Sequence, residues 1–203
     1  MRPFRTITGS VAPLNRADVD TDQIIPKQFL KRVERTGYGD FLFFDWRVRP
    51  DGAPNPDFVL NQAGYSAAPI LVAGANFGCG SSREHAAWAL GDFGIRSVIA
   101  PTFADIFLTN CYQNGLLPVQ LADHEVSHLM SQAQASPGYT ATVDLENCTV
   151  TDNAGFLARF QIDPFRRKCL LEGLDDIGLT MKLQDRIEAF EALRKVPAGA
   201  AAR

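Results

Sequence analysis

Several protein classes are excluded by what the sequence of 203 residues lacks. No apolar run approaches the roughly 20 residues that a membrane-spanning helix needs. The first residues, Met1 to Thr6, lead straight into a strand-like pattern and contain no apolar core of a signal peptide. Internal repeats and low-complexity blocks are also missing. We therefore expect a cytoplasmic protein with no membrane partner.

An excess of basic charge is missing too. The formal net charge is −3, and the charged residues, 21% of the chain, are evenly mixed. This balance gives no reason to expect nucleic acid as a partner. Apolar residues make up 46% of the sequence, which is enough for one ordinary core. We predict a single domain over residues 1–195 and a disordered tail at residues 196–203.

Closely spaced cysteine pairs are absent. The chain has four cysteines, Cys79, Cys111, Cys148 and Cys169, and they are far apart. A self-contained zinc site or iron–sulfur cluster is held by cysteines at short spacings, such as Cys-x-x-Cys. The cysteines are therefore interpreted as reduced thiols, and no metal site is predicted in this chain.

One motif favours a different class, a zinc metalloprotease. The segment from His124 to His128 matches His-Glu-x-x-His, in which two histidines one helical turn apart bind zinc and the glutamate activates water. The only other histidine, His85, lies far upstream, so no third histidine ligand follows. A motif with three fixed letters also arises often by chance. We favour a surface helix here.

The apolar patterning predicts an α/β protein with a mixed sheet flanked by helices. Strand-like and helix-like segments alternate in the middle of the chain, as in parallel sheets. A hairpin and two further helices follow. The predicted strands are residues 4–11, 69–73, 97–100, 116–121, 140–151 and 156–162. The main predicted helices are residues 84–90, 103–113, 123–134, a helix starting at 164, and 180–195, the last with Leu183, Ile187, Phe190 and Leu193 on one side.

The stretch from Gly74 to Trp88 has the strongest functional pattern. A buried strand precedes it, three glycines occupy seven positions, and a helix follows. This arrangement aims backbone N–H groups at one point, where the helix dipole favours an anion. The hydroxyls of Ser81 and Ser82 lie there, and Arg83 can grip a carboxylate with two parallel hydrogen bonds. The pattern predicts a site for a carboxylate-bearing substrate.

A simpler interpretation of the same stretch is a helix cap. Ser81-x-x-Glu84 is a capping box, in which both side chains satisfy free N–H groups at a helix start. This interpretation accounts for Ser81 and Glu84 but leaves the glycines, Ser82 and Arg83 unexplained. The two interpretations are compatible, because one residue can cap while its neighbours bind.

Two upstream segments remain open to more than one interpretation. The aspartates Asp18, Asp20 and Asp22 lack the spacing of a calcium-binding EF-hand loop. Turn chemistry and helix capping explain such clusters, and an orienting role for Asp22 beside a polar site stays open. The cationic, glycine-containing segment 31–40 is either a lid over an anionic ligand or a solvated loop, and its composition favours the loop.

Taken together, these motifs resemble those of a known family. Gly-x-Asn-Phe-Gly-x-Gly-Ser-Ser-Arg-Glu-His-Ala at residues 74–86 resembles the signature of the swivelling β/β/α domain of the aconitase superfamily, and residues 20–26 resemble its N-terminal motif. With the segments 37–39, 44–47 and 55–61, residues 1–195 resemble the small-subunit family of bacterial 3-isopropylmalate dehydratases.

The resemblance implies half of a hydro-lyase. Such an enzyme isomerises (2S)-2-isopropylmalate to (2R,3S)-3-isopropylmalate through 2-isopropylmaleate, in leucine biosynthesis. It is a heterodimer whose separate large subunit holds a [4Fe-4S] cluster, so that this chain carries no cofactor itself. The alternatives are a related small subunit, of the homoaconitase, citraconate or methylmalate type, and a stand-alone carboxylate-binding module.

The resemblance also implies roles for single residues. Ser81 is the catalytic base, acting as an alkoxide, on a loop formed by Gly78 and Gly80. The substrate-binding residues that it implies are Ser82, Arg83, Asp22 and one further arginine, either Arg32 or Arg35. The spacing does not decide between these two arginines.

Overall fold

Strand β1 (Thr6–Leu14) joins two differently built halves of one sheet in the computed structural model, which describes residues 1–31 and 34–193. Its last residues pair in parallel with β2 (Ile70–Ala73), with Val11 opposite Ile70. Its first residues pair antiparallel with β5 (Thr140–Asp144), with Thr6 opposite Asp144. The predicted mixed sheet is therefore confirmed, and β1 is the strand at which the pairing changes direction.

The described residues form seven strands in the order β4-β3-β2-β1-β5-β6-β7. The remaining strands are β3 (Ser97–Ala100), β4 (Leu117–Gln120), β6 (Thr149–Asp152) and β7 (Leu157–Arg159). The helices are α1 (Thr21–Ile24), α2 (Phe44–Arg47), α3 (Glu84–Phe93), α4 (Asp105–Gln113), α5 (Asp123–Ala135), α6 (Pro164–Glu172), α7 (Asp176–Met181) and α8 (Gln184–Leu193).

The parallel half, β1 to β4, is covered on both faces. Every residue of β2 and β3 is buried, which explains why β2 is an unbroken apolar run and why β3 is apolar except for Ser97. On one face, Leu71 and Val98 pack in the core that α3 and α4 complete. On the other face, Ile70 and Ile99 pack in a second core with α5 and α6.

The antiparallel half corrects one prediction. Residues 140–151 were expected to form a single strand, but they form β5 and β6 with a turn between them. Both carboxylate oxygens of Asp144 hold that turn, accepting hydrogen bonds from the backbone N–H of Asn147 at 3.0 Å and from its side-chain amide at 2.8 Å. Cys148 follows in the left-handed region, with φ of 53°. With β7, these strands make a three-stranded meander instead of a hairpin.

The C-terminal helices correct another prediction. Helix α6 begins where expected, with Asp163 as its cap. The final helix, predicted for residues 180–195, begins later than predicted, because its described part is α8, from Gln184 to Leu193. The chain forms α7 and α8, which meet at Lys182 and Leu183. The predicted tail, residues 196–203, lies outside the described residues. Within the described ranges, no helix is both long and apolar enough to cross a membrane.

Candidate active site

The predicted site lies at the carboxyl ends of β1, β2 and β3. In sheets of this kind, ligands bind where the loops leave the carboxyl ends of parallel strands. The segment after β1 pairs with the glycine loop through a parallel bridge from Asp20 to Cys79. The segment after β3 pairs with it through a second bridge, from Phe103 to Phe77. The loop is thus held on both sides by its neighbours in the sheet.

Gly78 and Gly80 give this loop its path. Both have positive φ, at 79° and 86°, a region that side chains with a Cβ rarely adopt. A Cβ on Gly78 would also lie 2.2 Å from Cγ of the buried Phe107 in α4. The backbone N–H of Gly78 donates to the carbonyl of Val19 at 2.7 Å. The predicted role of both glycines in forming the loop therefore has a steric basis.

Thr21 ties the loop to the N-terminal motif. It is one of two buried polar or charged residues in the described chain, with 2% of its surface exposed. Its hydroxyl donates to the carbonyl of Ser81 at 2.8 Å, and its backbone N–H donates to the carbonyl of Cys79 at 2.9 Å. Sequence analysis missed this residue, although it lies between Asp20 and Asp22 in the N-terminal motif.

Ser81, Ser82 and Arg83 line one pocket of about 260 Å³. Ser81 and Ser82 are exposed, and Arg83 is partly buried. The glycine loop and Thr21 form one side of the pocket, and the start of α4 forms the other. The residues that α4 and its N-cap contribute are Ala104, Asp105, Ile106, Phe107 and Asn110, which sequence analysis also missed. Their position directly after β3 is the signal that marks them.

Arg83 and Asp22 form a bidentate ion pair. Nη1 of Arg83 bonds one carboxylate oxygen of Asp22, and Nη2 bonds the other at 2.9 Å. The hydrogen bond from Arg83 is the main reason that the pKa of Asp22 falls below its usual value, and burial opposes this only in part. Two residues that were both predicted to contact substrate therefore contact each other in this chain.

The capping-box prediction is wrong. Helix α3 begins at Glu84, so that Arg83 is its N-cap, and no side chain caps that end. The Glu84 carboxylate instead accepts a hydrogen bond from the side-chain amide of Asn114 at 3.0 Å. Asn114 also accepts one from the indole N–H of Trp88 at 3.0 Å. Glu84 thus braces α3 against the end of α4, and Ser81 is left facing the pocket.

The segment that follows residue 33 packs on α3. The backbone N–H of Tyr38 donates to Asp92 at 3.0 Å, and its ring lies 5.3 Å from that of His85. The guanidinium of Arg35 lies over the ring of Trp88, 5.4 Å from its centre. Arg35 therefore lies beside α3, and it is not one of the residues that line the pocket. Arg32, the other predicted arginine, lies outside the described residues.

The His-Glu-x-x-His segment has structural contacts within α5 and beyond it. The Glu125 carboxylate accepts a hydrogen bond from the backbone N–H of Ala122 at 2.9 Å. The ring of His128 stacks on that of Phe156, with centres 4.8 Å apart. In residues 1–31 and 34–193, no three His, Cys, Asp or Glu side chains come together as a metal site. A zinc ion or an iron–sulfur cluster therefore does not fit in this part of the chain.

Three models of known protein families match successive segments of the chain. A family model described as the aconitase C-terminal domain matches residues 1–124. A model described as LeuD_N matches residues 127–164. A third, described as the C-terminal domain of the 3-isopropylmalate dehydratase small subunit, matches residues 176–196.

Similar proteins agree with these matches. The chain is 62% identical over 191 residues to the 3-isopropylmalate dehydratase small subunit of Acidobacterium capsulatum, covering 94% of this chain and 90% of that protein. It is 55% identical over 194 residues to that of Brevibacillus brevis, covering 96% and 100%. The crystal structure of 3-isopropylmalate dehydratase from Methanocaldococcus jannaschii is similar with a TM-score of 0.65 at 27% identity, covering 92% and 99%. The chain belongs to the 3-isopropylmalate dehydratase small-subunit family, within the aconitase superfamily.

Proposed function

We propose that this chain supplies one half of a hydro-lyase active site, as the small subunit of a 3-isopropylmalate dehydratase. The reaction removes water from (2S)-2-isopropylmalate and adds it back to 2-isopropylmaleate in the other orientation, giving (2R,3S)-3-isopropylmalate. One observation carries the proposal: the exposed Ser81 lines the same pocket as Ser82 and Arg83. A proton-accepting group and carboxylate-binding groups are thus close enough to act on one small molecule.

In this proposal Ser81 accepts the proton. Its oxygen, as an alkoxide, takes the proton from the carbon next to the one that loses the hydroxyl group, and returns a proton during rehydration. A serine hydroxyl is a very weak acid, so the anion needs local stabilisation. The first turn of α3 provides backbone N–H groups without partners in the helix and the positive end of its dipole. The guanidinium of Arg83 lies at the same end, with its charge partly balanced by Asp22, and its remaining N–H groups can donate there.

Asp22 acts as a positioning residue for Arg83 in this scheme. A guanidinium has five N–H donors, and Asp22 uses two of them. The remaining donors, together with the hydroxyl of Ser82, are the groups we assign to a substrate carboxylate. Asp22 holds the plane of the guanidinium and thereby sets the direction from which that carboxylate approaches.

The proposal needs a second polypeptide. The matched relatives are named as small subunits, which implies a large one. The donor atoms of an iron–sulfur cluster are not assembled in the described part of this chain. We therefore assign the [4Fe-4S] cluster expected for the superfamily to the large subunit. A cytoplasmic location belongs to the same proposal, because it follows from a role in leucine biosynthesis.

Reconstitution tests the proposal. The purified chain is mixed anaerobically with the large subunit from the same organism, and the ultraviolet absorbance of the unsaturated intermediate is followed. Ser81→Ala should lower the turnover by a factor of about 10² to 10⁴, the usual contribution of a general base. Ser66→Ala is the matched control, because Ser66 is an exposed serine outside the pocket. It should leave the rate unchanged.

Other outcomes distinguish the alternatives. If Ser81→Ala reacted at the wild-type rate, the assignment of the base would be wrong. Turnover of citraconate or of homoaconitate, with none of isopropylmalate, would change the substrate and keep the reaction class. A chain that binds dicarboxylates equally well with and without Ser81, and shows no turnover with the large subunit, would be a binding module.

A further inference from the structure

The side-chain amide of Asn110, in the second half of α4, is available to a ligand. The residue is partly buried, and its backbone carbonyl accepts a hydrogen bond from the side-chain amide of Asn114 at 2.8 Å. Its own side-chain amide bonds none of the residues that the structure describes. Every buried side-chain nitrogen and oxygen in this part of the chain has a partner. The amide of Asn110, which has none, is therefore accessible from outside.

Two contacts fix how α4 lies along the glycine loop. Near the start of the loop, Gly78 packs on Phe107, to whose Cγ an added Cβ would lie 2.2 Å away. At the end of the loop, Glu84 accepts a hydrogen bond from the side chain of Asn114 at 3.0 Å. The loop therefore runs alongside the helix from its first turn to its end. Because Asn110 lies between the two contacts on the helix, it is opposite the middle of the loop.

The pocket agrees with this register. Asn110 lines the same cavity of about 260 Å³ as residues 81–83. Ile106, one turn before it, lines this cavity too, with 53% of its surface exposed. Residues four apart lie on one side of a helix. One side of α4 therefore faces the substrate pocket, and Asn110 is the polar residue at its inner end.

The other polar side chains in the pocket are bonded already or are of the wrong kind. The hydroxyl of Thr21 donates to a carbonyl of the loop at 2.8 Å. Two of the five N–H donors of Arg83 bond Asp22. The carboxylate of Asp105 can only accept hydrogen bonds. An asparagine amide has two N–H donors, and both are unused at Asn110.

A substrate carboxylate has room for a further donor. Its two oxygens offer about four acceptor positions, more than Ser82 and one side of a guanidinium fill. A hydrogen bond to a charged acceptor is roughly twice as strong as one between neutral groups. A donor from α4 would approach from the side opposite the loop. It would hinder rotation of the carboxylate, and a fixed orientation is what brings a substrate to its reactive geometry.

We propose that Asn110 is a substrate-binding residue, whose side-chain amide donates a hydrogen bond to the carboxylate held by Ser82 and Arg83. The proposal rests on the function proposed above, because it needs a dicarboxylate in this pocket. It does not depend on Ser81 as the base. It gives α4 a direct contact with the substrate in addition to its place in the pocket wall.

The test measures substrate affinity without turnover. The chain with Ser81→Ala is combined anaerobically with the large subunit, and the complex is titrated with (2S)-2-isopropylmalate in a calorimeter. Adding Asn110→Ala should raise the dissociation constant about 10- to 100-fold, the usual loss for one hydrogen bond to a charged group. Adding Asn110→Asp should raise it further, because a carboxylate of the same shape replaces the donor and repels the substrate.

Asn153 provides the matched control. It is an exposed asparagine between β6 and β7, outside the pocket. Asn153→Ala and Asn153→Asp make the same chemical changes, and they should leave the dissociation constant of the Ser81→Ala complex unchanged.

Urea unfolding of the isolated chain distinguishes substrate binding from a structural role. The amide of Asn110 bonds nothing in the described chain, and alanine favours a helix more than asparagine does. Asn110→Ala should therefore unfold at the same urea concentration as the wild type or at a higher one, although it binds substrate less tightly.

Three results would overturn the proposal. They are equal dissociation constants with and without Asn110→Ala, an equal loss of affinity for the Asn153 variants, and a lower urea midpoint for Asn110→Ala that accounts for the lost affinity. If Ser81→Ala still turned over, the assignment of the base would fail, and the same comparison would be made on kcat/KM. A wild-type complex that binds no isopropylmalate would refute the proposed function and this proposal with it, whereas binding that is insensitive to Asn110 would refute this proposal alone.

Discussion

Replacing Gly78 by alanine tests the steric basis of the glycine loop. The residue has φ of 79°, and an added Cβ would meet Phe107 at 2.2 Å from Cγ and 2.6 Å from Cβ. These are the atoms nearest the backbone of α4, so the ring cannot rotate away from the clash. Phe107 is also held between its neighbours, stacked on Phe103 and edge-on to Phe77. Either the loop or α4 must therefore shift.

The expected cost has two parts. The left-handed backbone conformation costs an alanine about 1–2 kcal/mol relative to glycine. Overpacking in a closed core typically costs about 1–3 kcal/mol. Reduced entropy of the unfolded chain returns about 0.4–1 kcal/mol. We expect Gly78→Ala to lower the free energy of unfolding by about 2–4 kcal/mol, and the melting temperature by about 4–16 °C for a chain of this size.

Two other glycines separate these contributions. Gly80 has φ of 86°, but its added Cβ would come no closer than 3.3 Å to another atom, Cβ of Asp20. Gly80→Ala should therefore lose only about 1 kcal/mol, the backbone part. Gly91 lies on the exposed side of α3, with nothing within 4 Å of an added Cβ. Gly91→Ala should raise the free energy of unfolding by up to about 1 kcal/mol.

Urea unfolding of the isolated chain, followed by circular dichroism, gives the three values, and reconstituted turnover shows the effect on the site. The order of stability should be Gly91→Ala, wild type, Gly80→Ala and Gly78→Ala. The reasoning would be refuted by a wild-type midpoint for Gly78→Ala, or by Gly78→Ala and Gly80→Ala losing the same free energy. Full activity of a destabilised Gly78→Ala would show that the loop tolerates the shift.

Single contacts give three further predictions. Arg83→Lys loses the bidentate pairing with Asp22, so kcat/KM of the reconstituted enzyme should fall at least about tenfold. The urea midpoint should change little, because Asp22 is half exposed. Unchanged kinetics would count against a role of Arg83 in binding substrate. Burial alone raises the pKa of Asp152, but hydrogen bonds, that of the Tyr139 hydroxyl at 2.7 Å first among them, lower it below its usual 3.8. The stability that this carboxylate contributes is present above pH 3.8 and is lost as the pH falls through the lower pKa of the folded protein. Tyr139→Phe should therefore make the loss of unfolding free energy in acid less steep. An equally steep loss would contradict the role of the Tyr139 hydrogen bond. Burial lowers the pKa of His85 below its usual 6.5, so an NMR titration should show a midpoint under 6.5. A midpoint above 6.5 would mean that the ring is more hydrated than its packing against Tyr38 and Trp88 implies.

The pattern of apolar residues was sufficient for the central sheet. Strands β2 and β3 are short runs between turn residues, apolar except for Ser97, and burial on both faces is the physical reason for such runs. Where the apolar pattern predicted the wrong boundaries, hydrogen bonds of side chains in the turns set the ends of the strands and helices. One predicted strand, residues 140–151, became two strands because Asp144 and Asn147 form a turn that competes with the strand. The last predicted helix begins at Gln184 instead of residue 180, because a separate short helix, which Asp175 caps, ends at Met181.

The site shows the same division. Glycines 78 and 80, the two serines and Arg83 were recognisable in the sequence because they are adjacent, and their spacing alone indicated an anion-binding loop. The ion-pair partner of Arg83 was not recognisable in the sequence, because Asp22 is 61 residues away and reaches the guanidinium only when β1 and β2 pair. Whether Ser81 caps the helix or faces the pocket was equally undecided until Glu84 was found bonded to Asn114 from the end of α4.

The sequence by itself determined the central alternation of strands and helices, the glycine loop and the family, because these depend on residues that are neighbours along the chain. Only the tertiary structure decided that Asp22 holds Arg83, that Thr21 anchors Ser81, and that α4 completes the pocket. The physical reason is that hydrogen bonds, ion pairs and burial between distant segments depend on how the sheet brings those segments together. The local pattern of residues does not show this arrangement.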